Sequence, residues 1–376
     1  MKGTRAYPVG AGTYSKHPSR YADGAPGGID WADGAYVGTD EGGRWVDLTS
    51  GMGAVILGHG HVPVAEAILH QLGDGIAFPL PNQLEEQVVK QLLGLMTWPK
   101  AESVRCGKNG ADVTSSAVRL ARAVTGRTDV LYCDYHGHHD WCMIEAPWNK
   151  GVPGWTGTVK VPRDEVVSAV LSLQPAAVVL EPWPSAPSTW GPASNFWTAL
   201  REACDIAGTL LILDEMVSGF RAAPGGGAEF FGIEPDLACY GKAMANGMPL
   251  SAVVGPYEYL KRYEEDVFFS LTHAGEALSL AAASATMEAL KDGRALHRVA
   301  MLGQDIIGLF LEVGDVRIRY GYPQRLLFPG FGKKELGILL DHGVLCAGYA
   351  NLTLAHAEDP EARRTIWDAF HAVLSA

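Results

Sequence analysis

Five short apolar runs constrain this chain more than any other feature: "VLYC" (130–133), "AAVVLEP" (176–182), "TLLILDE" (209–215), "LACYG" (237–241) and "SAVVG" (251–255). Each reads as a strand buried on both faces. Stretches with helical spacing precede them or lie between them. "VPVAEAILHQL" and "LEEQVVKQLLGLM" come first, and "DVTSSAVRLARAV" sets Val113, Ala117, Leu120, Ala121 and Val124 on one face. Strands buried on both sides and alternating with helices predict an α/β fold with a mostly parallel central sheet, flanked by helices. In such sheets ligands bind outside the carboxyl ends of the strands, so the residues that follow each run are the candidates for function.

The chain is long enough for a large domain and a smaller one, at 376 residues. Residues 1-45 are expected to form an N-terminal arm and a hairpin, the latter from "GAYVGTDEGGRWVDLTSG" with its D-E-G-G turn. Residues 46-289 are expected to form the large domain and 290-376 a smaller α+β domain. The formal net charge of −12 makes nucleic acid an unlikely partner and disfavours anionic membrane. No apolar stretch reaches membrane-spanning length, and the N-terminus carries no secretory pattern. The six cysteines form no CxxC pair, which points to a reduced, cytoplasmic protein.

The strand ends gather a specific set of groups. "TLLIL" ends in Asp214, "LACYG" leads to Lys242, "VLYC" to Tyr135 and His136, and "SVRCGKNG" to Asn109, Gly110 and Ala111 at the start of a helix. Each has an ordinary alternative: a turn aspartate, a surface lysine, a plain helix start. The cluster His136, His138 and His139 could also suggest zinc, but the ligand spacing is not conventional, and no metal is expected. Taken together, the groups suit an aldehyde cofactor with a phosphate handle. A helix N-terminus binds the phosphate, an aromatic ring stacks on the cofactor, a carboxylate keeps its ring nitrogen protonated, and a lysine amine forms the Schiff base. That cofactor is pyridoxal 5′-phosphate.

The sequence also resembles the class III (fold type I) pyridoxal-phosphate-dependent aminotransferases, and among them the glutamate-1-semialdehyde aminomutase-like members. "LILDEMVSGFR", "PDLACYGKAMANGMPLSAVVG", "GHGHVPVAEAI", "AVRLARAVTGR", "YHGHHDW" and "THAGEALSLAAASATMEAL" match blocks of that family in order, over roughly residues 30 to 300. The resemblance implies a fold type I transferase in which Lys242 carries the cofactor and Asp214 pairs with the pyridine nitrogen. Tyr135 and Met216 would cover the two ring faces, with His136 beside them. Gly110 and Ala111 would hold the phosphate, together with Asn109. Thr272 would reach the phosphate of a neighbouring subunit in a homodimer whose sites lie at the interface.

The chain departs from the family where Ser-Gly-Thr becomes Asn109-Gly110-Ala111 and where Asn-Pro becomes Glu276-Ala277. The expected activity is that of an aminotransferase or aminomutase acting on a small-molecule amine or amino-acid-like substrate. A decarboxylase and a non-catalytic pyridoxal-phosphate-binding protein are the alternatives. Tyr14, Ser15 and Lys16 of the arm, and Trp183 of the "EPWPSAPSTW" loop, are the candidate substrate contacts.

Overall fold

The computed structural model describes residues 10–144, 149–153, 157–184 and 195–376. The chain divides into two compact units: residues up to Ala65 together with Asp292–Ala376, and Glu66–Lys291.

The first unit opens with two 3-10 turns, Tyr14–Lys16 and Pro18–Arg20. A meander of β1 (Trp31–Asp33), β2 (Tyr36–Gly38) and β3 (Arg44–Asp47) follows. Strands β2 and β3 form the hairpin that the D-E-G-G turn announces, pairing Tyr36 with Val46 and Gly38 with Arg44.

The second unit is built on β4 (Ser103–Gly107), β5 (Val130–Tyr132), β6 (Thr158–Lys160), β7 (Ala177–Leu180), β8 (Leu210–Asp214), β9 (Leu237–Tyr240) and β10 (Ser251–Gly255). Among the described residues these form one sheet in the order β4-β10-β9-β8-β7-β5-β6. From β9 to β6 every pairing is parallel. The exception is β10, which runs antiparallel to both β9 and β4. The short link from Gly241 to Leu250 holds only one 3-10 turn, too little for the helical crossover that a parallel partner would need. Every residue of β7, β8, β9 and β10 is buried, which is why these strands read as unbroken apolar runs. Helix Gly110–Thr125 lays Val113, Ala117, Leu120 and Ala121 into the same core as Val179, Ile212 and Leu237.

The rest of the first unit comprises β11 (Arg319–Tyr322), β12 (Arg325–Leu327), β13 (Val344–Leu345) and β14 (Tyr349–Asn351). Strand β13 pairs in parallel with β3, so the two ends of the chain share a sheet. Helices Arg294–Glu312 and Pro360–Ser375 cover it, with Phe310, Phe328 and Phe370 in mutual contact beneath. Among the described residues no helix is long and apolar enough to cross a membrane.

Candidate active site

Asp214 is the last residue of β8, and Lys242 opens the 3-10 turn Lys242–Ala245 just beyond the neighbouring strand β9. Both lie at the carboxyl edge of the second unit's sheet. Lys242 has φ 44°, a left-handed conformation that a non-glycine residue adopts only where its surroundings enforce it. Asp214 is buried and engaged on both oxygens. Oδ1 accepts the backbone N–H of Met216 at 3.0 Å, and Oδ2 faces His136 Nδ1 at 2.8 Å. His136 is itself fully enclosed. Burial disfavours its charged form, yet the hydrogen bond and charge of Asp214, with Glu181 and Asp134 further off, hold its pKa above the ordinary value. The other ring nitrogen, Nε2, is buried and has no hydrogen-bond partner among the described residues.

The Met216 sulfur marks the point where three segments meet. A Cβ on Gly110 would lie 2.7 Å from it, and one on Gly241 would lie 2.8 Å from it. A side chain at either position would displace the Met216 side chain, so the start of the helix, the strand end after Asp214 and the residue before Lys242 are in close contact. Asn109 caps helix Gly110–Thr125 in a box with Asp112, whose Oδ2 accepts the Asn109 N–H at 2.8 Å. The first N–H groups of any α-helix lack intrahelical partners, and they carry the positive end of its dipole.

Thr114 ties that first turn to the aromatic segment, its hydroxyl donating to the His136 carbonyl at 3.0 Å. Gly137 then passes so close to Ala111 that an added Cβ would sit 2.9 Å from the Ala111 Cβ, at φ 113°. Gly137→Ala is thus expected to destabilise the protein by about 1–3 kcal/mol through combined strain and overpacking. A lowered denaturation midpoint would show it.

Tyr135 projects outward and is largely exposed, while Met216 is buried. Thr272 is exposed too, and it lines a cavity of about 240 Å³ opposite Phe78, Leu80 and Glu85. The lining of that cavity includes none of Asn109, Gly110, Ala111, Asp214 and Lys242. Its segment is nevertheless anchored beside the helix start. Lys108 Nζ donates to Glu276 Oε1 at 2.7 Å, and Glu276 caps helix Ala277–Leu290 through the N–H groups of Leu278 and Ser279. Burial works against the ionised Glu276, but Lys108 and Ser279 hold its carboxyl below the usual range.

Tyr14, Ser15 and Lys16 form an exposed turn of the first unit, with Tyr14 stacked on His17. Trp183 follows β7 and stacks on Phe231, with ring centroids 6.5 Å apart. Residues 185–194 of the same loop lie outside the described residues. Among the described residues no group of three or more His, Cys, Asp and Glu side chains is arranged to hold a metal ion.

Several supporting residues carry no signal in the sequence. Ser251 on β10 donates to the Asn109 carbonyl at 3.0 Å, and the Lys108–Glu276 pair joins residues 168 apart. Glu215 is fully buried. Burial pushes its pKa up to about 7, although Ser218 and the backbone N–H groups of Gly227 and Ala228 all donate to it.

The site fits pyridoxal 5′-phosphate on its own terms. It has a helix start opened by Gly110, a buried carboxylate aligned by His136, and a lysine held at the adjacent strand end. Sheet and site together define a fold type I pyridoxal-phosphate transferase. The chain belongs to the class-III aminotransferase family, whose model matches residues 22–155 and 161–314.

It is similar to glutamate-1-semialdehyde 2,1-aminomutase of Syntrophobacter fumaroxidans, with 34% identity over 284 residues, which is 70% of this chain and 65% of that protein. The corresponding protein of Aquifex aeolicus is 34% identical over 279 residues, 69% of this chain and 65% of its own length. The chain therefore spans just under two thirds of these curated relatives. Among solved structures, the PLP internal aldimine form of the FumI protein of Sphingopyxis sp. MTA144 superposes with a TM-score of 0.86 at 24% identity, covering 97% of this chain and 92% of that one. An omega-transaminase from Sphaerobacter thermophilus gives 0.82 at 22% identity, covering 99% and 92%. At these identities the likeness is one of fold.

Proposed function

We propose that this protein is a pyridoxal-phosphate enzyme that moves an amino group on a small amine or amino-acid-like substrate, as an aminotransferase or an aminomutase. The observation that carries the reading is the meeting of the Gly110 helix start, the Asp214 strand end and the Gly241-Lys242 turn around one methionine sulfur. When bound, pyridoxal phosphate supplies an aldehyde carbon that joins amines and a ring that takes up the electron pair of a broken C–H bond. Gly110 and Ala111 would bind the phosphate with backbone N–H groups at the positive end of the helix, and Asn109, its own N–H held by Asp112, would fix that first turn. Asp214, oriented by His136 and by the Met216 N–H, holds a proton on the ring nitrogen. Tyr135 and Met216 would flank the ring, with the buried Met216 keeping water from one face. Lys242 Nζ would hold the cofactor and, when free, would move the proton at the substrate carbon. Trp183 is the candidate substrate contact within this unit.

The test is a half-reaction screen. Amine donors are added singly to the cofactor-loaded protein, and the visible absorbance and the carbonyl product are followed. Loss of absorbance with stoichiometric carbonyl product supports amino transfer. Carbon dioxide release, or no change with any donor class, would overturn it.

We also propose that the protein works as a homodimer, with Thr272 serving the partner's phosphate. Leu69, Leu72, Ile76, Phe78 and Leu80 of the second unit are exposed apolar side chains, and the last two share the cavity that Thr272 lines. A surface of this kind marks an interaction site. Thr272→Ala should weaken cofactor binding about ten- to a hundredfold, the worth of one hydrogen bond to a charged group. Mixing inactive Lys242→Ala chains with Thr272→Ala chains should restore activity, because each heterodimer then has one site carrying both lesions and one carrying neither. Absence of rescue, or a monomer by sedimentation, contradicts the assignment. All six cysteines are free thiols, five of them buried, which favours a reducing compartment such as the cytoplasm.

A further inference from the structure

Arg163 lies just past the edge strand β6, yet it is only 7% exposed. Its guanidinium reaches over the end of β5, where Nε lies 3.2 and 3.0 Å from the two Asp134 carboxylate oxygens and Nη2 lies 2.6 Å from Oδ2. Nη2 also donates to the Glu181 carbonyl at the end of β7. The face of the guanidinium stands 5.9 Å from the Trp197 ring centroid. One side chain thus bridges the ends of three neighbouring strands, in the order β6-β5-β7.

Asp134 is itself unusual. Its φ is 66°, a left-handed backbone that aspartate tolerates better than most residues but that is still held at some cost outside glycine. This kink falls immediately before Tyr135 and His136. It turns the chain out of the line of β5, so that His136 points into the core onto Asp214 while Tyr135 projects outward.

We propose that Arg163 is the positioning residue for the Tyr135–His136 turn, acting through Asp134. The proposal rests on the reading of this edge as the cofactor site, and it adds a residue that touches neither cofactor nor substrate in that reading. A bidentate fork fixes the carboxylate in direction as well as in distance, and so fixes the strained residue that carries it. Lysine, a single point donor, could not do the same. The His136–Asp214 hydrogen bond therefore depends on a side chain from beyond the adjacent edge strand β6.

The test uses the whole protein with 15N-labelled histidine. In the native apo protein, His136 should show a proton on Nδ1 that exchanges slowly, the mark of its bond to Asp214. Arg163→Met should abolish that signal and raise the Kd for pyridoxal phosphate tenfold or more. Adding Asp134→Gly to Arg163→Met should restore the signal and most of the affinity. Glycine accepts φ 66° without strain and leaves no carboxylate stranded at the edge of the core. Persistence of the signal in Arg163→Met, or a double variant no better than the single one, would overturn the proposal. If Arg163→Met does not fold, Arg163→Lys takes its place: loss of the signal is expected, and an unchanged signal refutes the idea. Should native protein show the His136 signal and these responses yet bind no pyridoxal phosphate, the cofactor reading falls and the clamp stands.

Discussion

Lys242→Ala should give a protein that binds pyridoxal phosphate only non-covalently and turns over no substrate. Borohydride treatment of the native protein should fix the cofactor on the peptide containing Lys242, and on no other lysine. The loss of proton transfer alone accounts for roughly a 10²–10⁴-fold fall in rate. Lys242→Arg sharpens the test, since it keeps a cation of similar reach at the same turn but offers a group that stays protonated and cannot attack a carbon. It too should be inactive. A label on a different lysine, or near-native turnover in either variant, would show that the amine at the end of β9 is not the reacting one.

The second large effect is expected at Asp214. Its two oxygens face two donors, the Met216 N–H and His136 Nδ1. Asparagine offers one oxygen and one NH2 group, so Asp214→Asn sets a donor against a donor as well as removing the charge. Without that charge the ring nitrogen loses its proton, and a neutral ring takes up electrons poorly. A fall in turnover on the order of 10²–10³ is expected, similar to removal of a key electrostatic group in other enzymes. The bound cofactor's absorbance should also change its response to pH. Near-native turnover would mean that the ring nitrogen does not depend on Asp214 for its proton.

The fold was legible because its strands are buried on both faces. Runs such as "TLLIL" admit few other readings, and the rule that ligands sit at carboxyl strand ends then pointed to Asp214, Lys242 and Asn109 without any contact being known. The direction of β10 was less legible, since "SAVVG" reads the same in either sense and only the short link after Lys242 decides it. The edge strand β6 is three residues long, only partly buried and ends in a lysine, so it leaves no periodic trace. The supporting contacts were invisible for a different reason. Lys108 with Glu276, Ser251 with Asn109 and Arg163 with Asp134 pair residues far apart in the chain, and none of these pairings belongs to a local pattern. Cys239 and Cys133 were legible only as small apolar residues, and both are buried in that role.

The reversed strand β10 also bears on how the amine moves. Tyr240 and Ala252, Cys239 and Val253, and Ala238 and Val254 are laddered to one another, and β8 pairs along the other side, so the strand that ends two residues before Lys242 is held on both sides by the sheet. A large displacement of the Lys242 Cα would pull on the buried ladder two residues away, whose hydrogen bonds cost free energy when left unmade. The backbone therefore acts as a fixed pivot. The swing of the nitrogen between partners is left to rotations along four methylenes, a motion of picoseconds to nanoseconds where the side chain has room. In the proposed reaction Lys242 would need no loop opening of its own segment, and slow steps in turnover should trace to other parts of the protein.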